Sequence, residues 1–537
     1  MKSFLFLSLF FLVFSSCGNE TTSKNIINEE DSTQIYKKML NRYIPSKLNV
    51  DYSLISKKEK QMIPVFMEIN QLIDDIFWYE SFGNKDSLCR ITIPELRQLV
   101  KLNFGPWDRF NNNKRIINCI SEKPKGANFY PFDITKEEFE RFKSNTKNDK
   151  YTFIRRDSLG SLKSIKYNII LKEKVDRIAN LLETAASLAE DKDFSNYLKQ
   201  RAKAFLTDEY DQSDLAWLET NNNTLDFIVG PIDVNEDALF GYKTEHSSYL
   251  LIKQKEWTKR LAKYTLMLPF LQKALPVPEE YRKENPEIQN RLEVCDVVAL
   301  GGFAKAGGYA ISVSYPNLSK YLDNRNNRNI QFVNILQAKY DNILNPIANH
   351  VLDEDFKQFN NFEAFFLNSI FFELGLNLGL KKLINRDIKV RDALKEYSTV
   401  LDVVKAYTIG LYFAEKLYSV GEIKDIRENY TVFLLSLIRT LRFGYSNDYA
   451  RASTIIFNFI EKQGCITYTS DKKFKLDFDK LKIAIPDLIS QVVVIQGNGN
   501  YLEAKKFVES NSDVSEQLSK IIVKLSDNQI PTDIKLN

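Results

Sequence analysis

The sequence predicts a mostly α-helical protein with a smaller mixed α/β part, a mixed first lobe followed by a helical second lobe. Three observations carry this. Apolar residues recur at helical spacing through most of the chain. Short β-like runs cluster between residues 225 and 315. From about residue 330 onward the pattern is almost entirely that of long helices. Composition agrees, since 44% hydrophobic and 27% charged residues exclude both wholesale disorder and a polytopic membrane protein. A chain of 537 residues can bury large cores without disulfides or metals. A net charge of +4 and the lack of any basic run with interleaved aromatics argue against a nucleic-acid partner.

Taken in order, Met1-Lys2-Ser3 leads into an apolar stretch from Phe4 to Phe14, then Ser15-Ser16-Cys17-Gly18. A charge, a short apolar run and small residues before a cysteine form an export signal, too short for a membrane-spanning helix of about 20 residues. The pattern resembles a bacterial lipoprotein signal. Residues 1–16 are then the signal peptide, Cys17 carries the lipid, and the mature protein is exported and anchored in the cell envelope. Plain secretion with an incidental Cys17 is the alternative. Residues 17–34 are polar and read as a flexible tether.

Residues 35–255 read as the mixed lobe. A helix is expected over 60–80, and two amphipathic helices over 172–206 with a break at Asp191-Lys192-Asp193. The β-like runs are Leu225–Gly230, Ser248–Ile252, Val294–Leu300 and Tyr309–Tyr315. Residues 256–525 read as the mainly helical lobe, with 294–316 returning to the β part. Helices are expected over 254–275 and 330–350, with Pro276-Val277-Pro278 and Pro286 marking a loop near the junction. Apart from Cys17, the cysteines are Cys89, Cys119, Cys295 and Cys465. Their wide spacing fits no zinc knuckle and favours free thiols, with any disulfide pairing left open.

Histidine narrows the chemistry most. His246 and His350 are the only two, so a three-His metal site is impossible within one chain, and both read as structural. Gly-x-Ser-x-Gly is absent. Gly301–Gly308 lacks the terminal Gly-Lys-Ser/Thr of a phosphate-binding loop. Asn324–Asn329 reads as a solvated loop.

Several collinear stretches nevertheless resemble one family. They are Phe104-Gly105-Pro106-Trp107-Asp108-Arg109, Gly126–Pro131, Leu225–Pro231, Leu239–Lys243, Ala304–Gly307, Glu373-Leu374-Gly375 through Gly379, Ala393–Glu396 and Lys405-Ala406 through Tyr412. Together, from about residue 65 to 465, they resemble bacterial zinc hydrolases related to dipeptidyl peptidase III. The resemblance implies a two-lobed fold, a helical zinc-bearing lobe and a lobe with a small β-barrel around a cleft. Such enzymes carry H-E-x-x-H, two imidazoles on one helix face with a Glu as general base, and a third ligand from a downstream Glu.

At the matching positions this chain has Phe372 and Leu376 for the two His, and Val403 in Asp402-Val403-Val404-Lys405-Ala406 for the ligand Glu. None offers a metal donor. Only Glu373, the base position, survives. A further cleft His of the family falls at Tyr449. The segment that holds the substrate amine reads Asp233-Val234-Asn235-Glu236-Asp237, so Asp233 and Asn235 are its degenerate binding residues. The expectation is a catalytically inactive relative without zinc or other cofactor, with Phe372 and Leu376 plugging the metal position and the cleft taking a peptide or protein ligand. A hydrolase of altered chemistry in the same cleft and a structural or assembly subunit are the alternatives. A new carboxylate site from Glu373, Asp402 and Glu396 is disfavoured by helix geometry.

Overall fold

The structure, a computed structural model, describes residues 29–536 except 89, 287–290, 317–326 and 445–446. The signal segment, Cys17 and Cys89 lie outside the described residues. Helix α1 (Glu29–Leu40) begins inside the stretch read as tether. Its Ile35, Tyr36, Met39 and Leu40 recur at helical spacing within polar sequence. Strand β1 (Tyr43–Ser46) then pairs in parallel with the C-terminal β7 (Asp533–Leu536) and ties the two ends of the described chain together.

Helix α2 (Lys57–Ser81) starts at Ser56, which forms a capping box with Glu59. Its Met62, Phe66, Ile69, Ile73 and Ile76 form one buried stripe. The stripe lies against the sheet and against α3 (Lys172–Leu188). Asp191 caps α4 (Lys192–Thr207) by accepting from the Phe194 N–H at 2.8 Å, which places the break where the sequence puts it.

The sheet contains β2 (Leu225–Asp233), β3 (Glu245–Lys253), β4 (Arg291–Gly302), β5 (Ser312–Tyr315) and β6 (Arg328–Phe332), in the order β2-β3-β4-β6-β5. β6 runs parallel to β4 and the other neighbours are antiparallel. β2, β3 and β6 are buried along their whole length, although β3 and β6 carry polar residues at several positions. The sheet ends on β2 and β5, so it is open where the resemblance implies a small barrel. The chain's return to the sheet extends to Phe332, and helix begins only at Val333. A stretch as short as Ile330–Phe332 carries no period that separates strand from helix. The solvated loop expected over 324–329 is, at 327–329, buried structure. Arg328 lies over the Trp217 ring and donates through its two terminal nitrogens to Glu293 and to the carbonyls of Trp217, Leu218 and Thr220, and these acceptors let a charged residue sit in the core although its Nε has no partner.

The helical part contains α5 (Lys255–Leu266), α6 (Phe362–Leu376), α7 (Ser398–Ser419), α8 (Ile426–Leu441), α9 (Asp448–Lys462) and α10 (Phe478–Asn498). α7 packs on α6, α9 and α10. One continuous apolar core runs from α2 and the sheet into these helices. Cys119, Cys295 and Cys465 are free thiols. Among the described residues no helix is long and apolar enough to cross a membrane.

Candidate functional site

Helix α6 is apolar on nearly every side, so it sits inside the core. Glu373 breaks that pattern near its C-terminus. Its Oε1 accepts from the Ser312 hydroxyl on β5 at 3.2 Å, where the helical part meets the sheet edge. Two glycines bring α7 hard against α6. A Cβ on Gly375 would lie 2.6 Å from the Ala406 carbonyl oxygen, and one on Gly410 would lie 2.9 Å from the Phe371 carbonyl carbon. This approach sets the Tyr407 ring 4.6 Å from Phe372, with Tyr449 of α9 at 6.1 Å on the same ring.

Two cavities open here, and Glu373 lines both. The first, about 310 Å³, is walled by Phe365, Phe372, Tyr407, Phe433, Arg439 and Tyr449, among others. The second, about 680 Å³, is walled by Leu376, Arg391, Asp402 and Lys405, among others. Burial pushes the Glu373 carboxyl up, partly offset by Ser312 and Gln331, and no basic group acts on it. Burial also raises the phenols of Tyr407 and Tyr449. Asp402 accepts from Lys405 Nζ at 3.1 Å and Gln496 Nε2 at 2.8 Å. Glu396 is bound instead by the Tyr501 hydroxyl at 2.6 Å and lines neither cavity. The three carboxylates therefore do not assemble.

Against known proteins, residues 118–389, half of the chain, match the sequence model of Peptidase family M49. The chain belongs to peptidase family M49. Among solved structures, dipeptidyl peptidase III from Caldithrix abyssi is 29% identical with a TM-score of 0.89, covering 93% of this chain and 98% of that one. Dipeptidyl-peptidase III from Corallococcus sp. strain EGB is 25% identical with a TM-score of 0.83, covering 94% and 97%. Nudix hydrolase 3 of Arabidopsis thaliana is 24% identical over 577 aligned residues, 95% of this chain and 74% of that protein. The two-lobed architecture implied by the sequence is thus that of the M49 fold.

The positions matched to the M49 zinc ligands behave differently from one another. Phe372 is half-buried on the Tyr407 and Tyr449 rings. Leu376, one turn on, is 38% exposed and lines the larger cavity. It does not join Phe372 in a sealed plug, because the two rings engage Phe372 and leave the next turn open. Val403 is 3% exposed, packed in the core and in neither cavity. Phenyl, isobutyl and isopropyl groups supply no donor, so this set does not fit zinc. Among the described residues no three His, Cys, Asp or Glu are grouped to hold a metal ion.

Asp233 and Asn235 lie apart from Glu373 and line neither cavity. Asp233 ends β2 opposite Glu245 and accepts from the Ser247 hydroxyl. Burial pushes its carboxyl up to about 6. Asn235 is exposed, and its N–H donates to Glu245 at 2.7 Å. The neighbouring carboxylates are structural. Glu236 binds Arg109 and Lys123, and Asp237 accepts from the Tyr130 hydroxyl and four backbone N–H groups. His246 is buried against Glu80, and His350 contacts the Pro346 carbonyl in the last turn of its helix, so both are structural as expected. Lys305 pairs with Asp74 at 2.6 Å.

Sequence reasoning missed Arg439 and Ser312. The signal for Arg439 was a lone cation inside the apolar run Leu434–Leu441 of α8, where a charge has no solvated face to occupy.

Proposed function

We propose that this chain is a non-catalytic M49 relative, exported and lipid-anchored through Cys17, that uses the family scaffold to bind a peptide or protein ligand. The observation that carries this is the set Phe372, Leu376 and Val403 at the three ligand positions. Without a Lewis acid, one carboxylate does not activate water sufficiently for amide hydrolysis. The larger cavity supports a binding role, since Arg391, Lys405, Glu373 and Asp402 all line it and give it charged groups of both signs.

The test is elemental analysis of the purified mature protein after dialysis against trace zinc, with peptidase assays run with and without chelator. Zinc far below one per chain and no turnover are expected. Stoichiometric zinc with chelator-sensitive turnover overturns the reading, and chelator-resistant turnover would favour altered chemistry in the same cleft. Cys17→Ala should release the protein from the membrane fraction.

A further inference from the structure

We propose that the cavity of about 310 Å³ binds a small apolar monocarboxylate, with Arg439 taking the carboxylate and Phe365, Phe372, Leu411 and Phe433 covering the apolar body. This cavity adjoins the larger one that supports the binding role above, with Glu373 lining both, and the proposal does not depend on loss of catalysis.

Arg439 is the reason. It is 7% exposed on α8, and its Nε is buried without a hydrogen-bond partner. Among the described residues the guanidinium makes no hydrogen bond or ion pair, and its ring neighbour is Phe443 at 5.3 Å. The nearest counter-charge acting on it is Asp533, which is already committed. That carboxylate accepts from Lys339 Nζ at 2.7 Å, from the Ile534 N–H at 2.8 Å and from the Tyr309 N–H at 3.0 Å. A desolvated cation without a partner is costly, and native interiors pair such groups.

The amide and hydroxyl groups of Asn368, Ser436 and Thr440 on the wall have their own partners. Asn368 exchanges two hydrogen bonds with Asn429, at 3.0 and 2.8 Å. The Ser436 hydroxyl donates to the Val432 carbonyl and the Thr440 hydroxyl to the Ser436 carbonyl, each at 2.8 Å. Among the lining residues, the buried side-chain donor left without a partner is Arg439 Nε.

The ligand chemistry follows from the wall. A guanidinium fork matches a carboxylate in plane and spacing. Arg439 is the one basic side chain among the lining residues, and Glu373 shares the wall, which disfavours a dianion such as phosphate. The remaining surface is mostly aromatic and aliphatic. A volume of about 310 Å³ lies at the small end of ligand cavities, about 300–1,000 Å³. It suits a medium-chain or aryl-alkyl acid, while a peptide chain would need the larger neighbour.

The experiment is calorimetric titration of the full mature protein with octanoate, with octanamide as the neutral control and a peptide ending in Leu-Phe as competitor. Octanoate should bind one per chain, at least about tenfold more tightly than octanamide. Arg439→Met should remove that preference while leaving octanamide binding and the melting temperature of the free protein undiminished. Ser436→Phe, which fills the cavity and keeps Arg439, should abolish binding of both, and serves if Arg439→Met does not fold. Equal affinity for acid and amide, octanoate binding that survives Ser436→Phe, or binding of the peptide without binding of octanoate each overturns the proposal. Zinc content and peptidase activity, which test the reading above, are not among these readouts.

Discussion

Replacing Asp233 with Asn should make the protein more stable at neutral pH. Asp233 is 9% exposed at the end of β2, and its sole compensation is the hydroxyl of Ser247. Glu245 stands across the strand pair, its own carboxyl pushed well up by burial and by Asp233 and Glu236. No cation acts on Asp233. Burial raises its carboxyl from the ordinary 3.8 to about 6. A group whose folded value is raised favours the folded state while it is protonated. That contribution is complete below about pH 4 and is lost as pH rises through about 6. At about 1.4 kcal/mol per pH unit, the displacement corresponds to about 3 kcal/mol. An Asn keeps the hydrogen bond and never ionises. In urea unfolding across this pH range, Asp233→Asn and wild type should coincide below about pH 4, diverge between about pH 4 and 6, and differ by a constant amount above that, with the variant ahead by up to about 3 kcal/mol. A variant that is less stable at neutral pH, or a difference that ignores pH, would refute the assignment of an uncompensated carboxyl.

Two further substitutions test the frame around the site. Against its burial, Arg109 and Lys123 hold the Glu236 carboxyl down to about 2. Glu236→Gln strands two buried cations and should lower stability by about 3–5 kcal/mol near neutral pH. Because the folded value is depressed, the loss should shrink as pH falls from about 4.5 toward 2 in denaturant titrations. Gly375→Ala puts a Cβ 2.6 Å from the Ala406 carbonyl oxygen. It should lower stability by about 1–3 kcal/mol from overpacking despite the better helix propensity of Ala, and a raised melting temperature would show that α6 and α7 are not in backbone contact.

Much of the scaffold was legible because it rests on local pattern. The α2 stripe, the break at Asp191 and the β2 and β3 runs follow from apolar period and one capping side chain. The site was legible to the level of residue type, since Phe372, Leu376 and Val403 announce their lack of donors wherever they point. What each does was not. Phe372 and Leu376 part company because Tyr407 and Tyr449, from two other helices, reach only the first. Arg328 reads as a loop residue until carbonyls over a hundred positions away are seen to accept from it. Burial of a charged group is decided by distant partners, and pattern along the chain does not contain them.

The placement of uncompensated groups bears on whether the ancestral cleft is vestigial. Arg201, Arg328 and Lys339 are as deeply buried as any side chain here, and each meets a carboxylate, Asp214 at 2.6 Å, Glu293 at 3.0 Å and Asp533 at 2.7 Å. Glu373, Arg439 and Asp233 are desolvated too, and among the described residues none of them forms an ion pair. Two of these three share the wall of one cavity with Phe372, and the third ends β2 opposite Glu245. An unpaired buried charge costs several kcal/mol, and such groups concentrate where a ligand completes the pairing. A cleft kept only as structure would gain stability by neutralising them. These unmatched groups therefore support the ligand-binding reading proposed above over that of an assembly subunit.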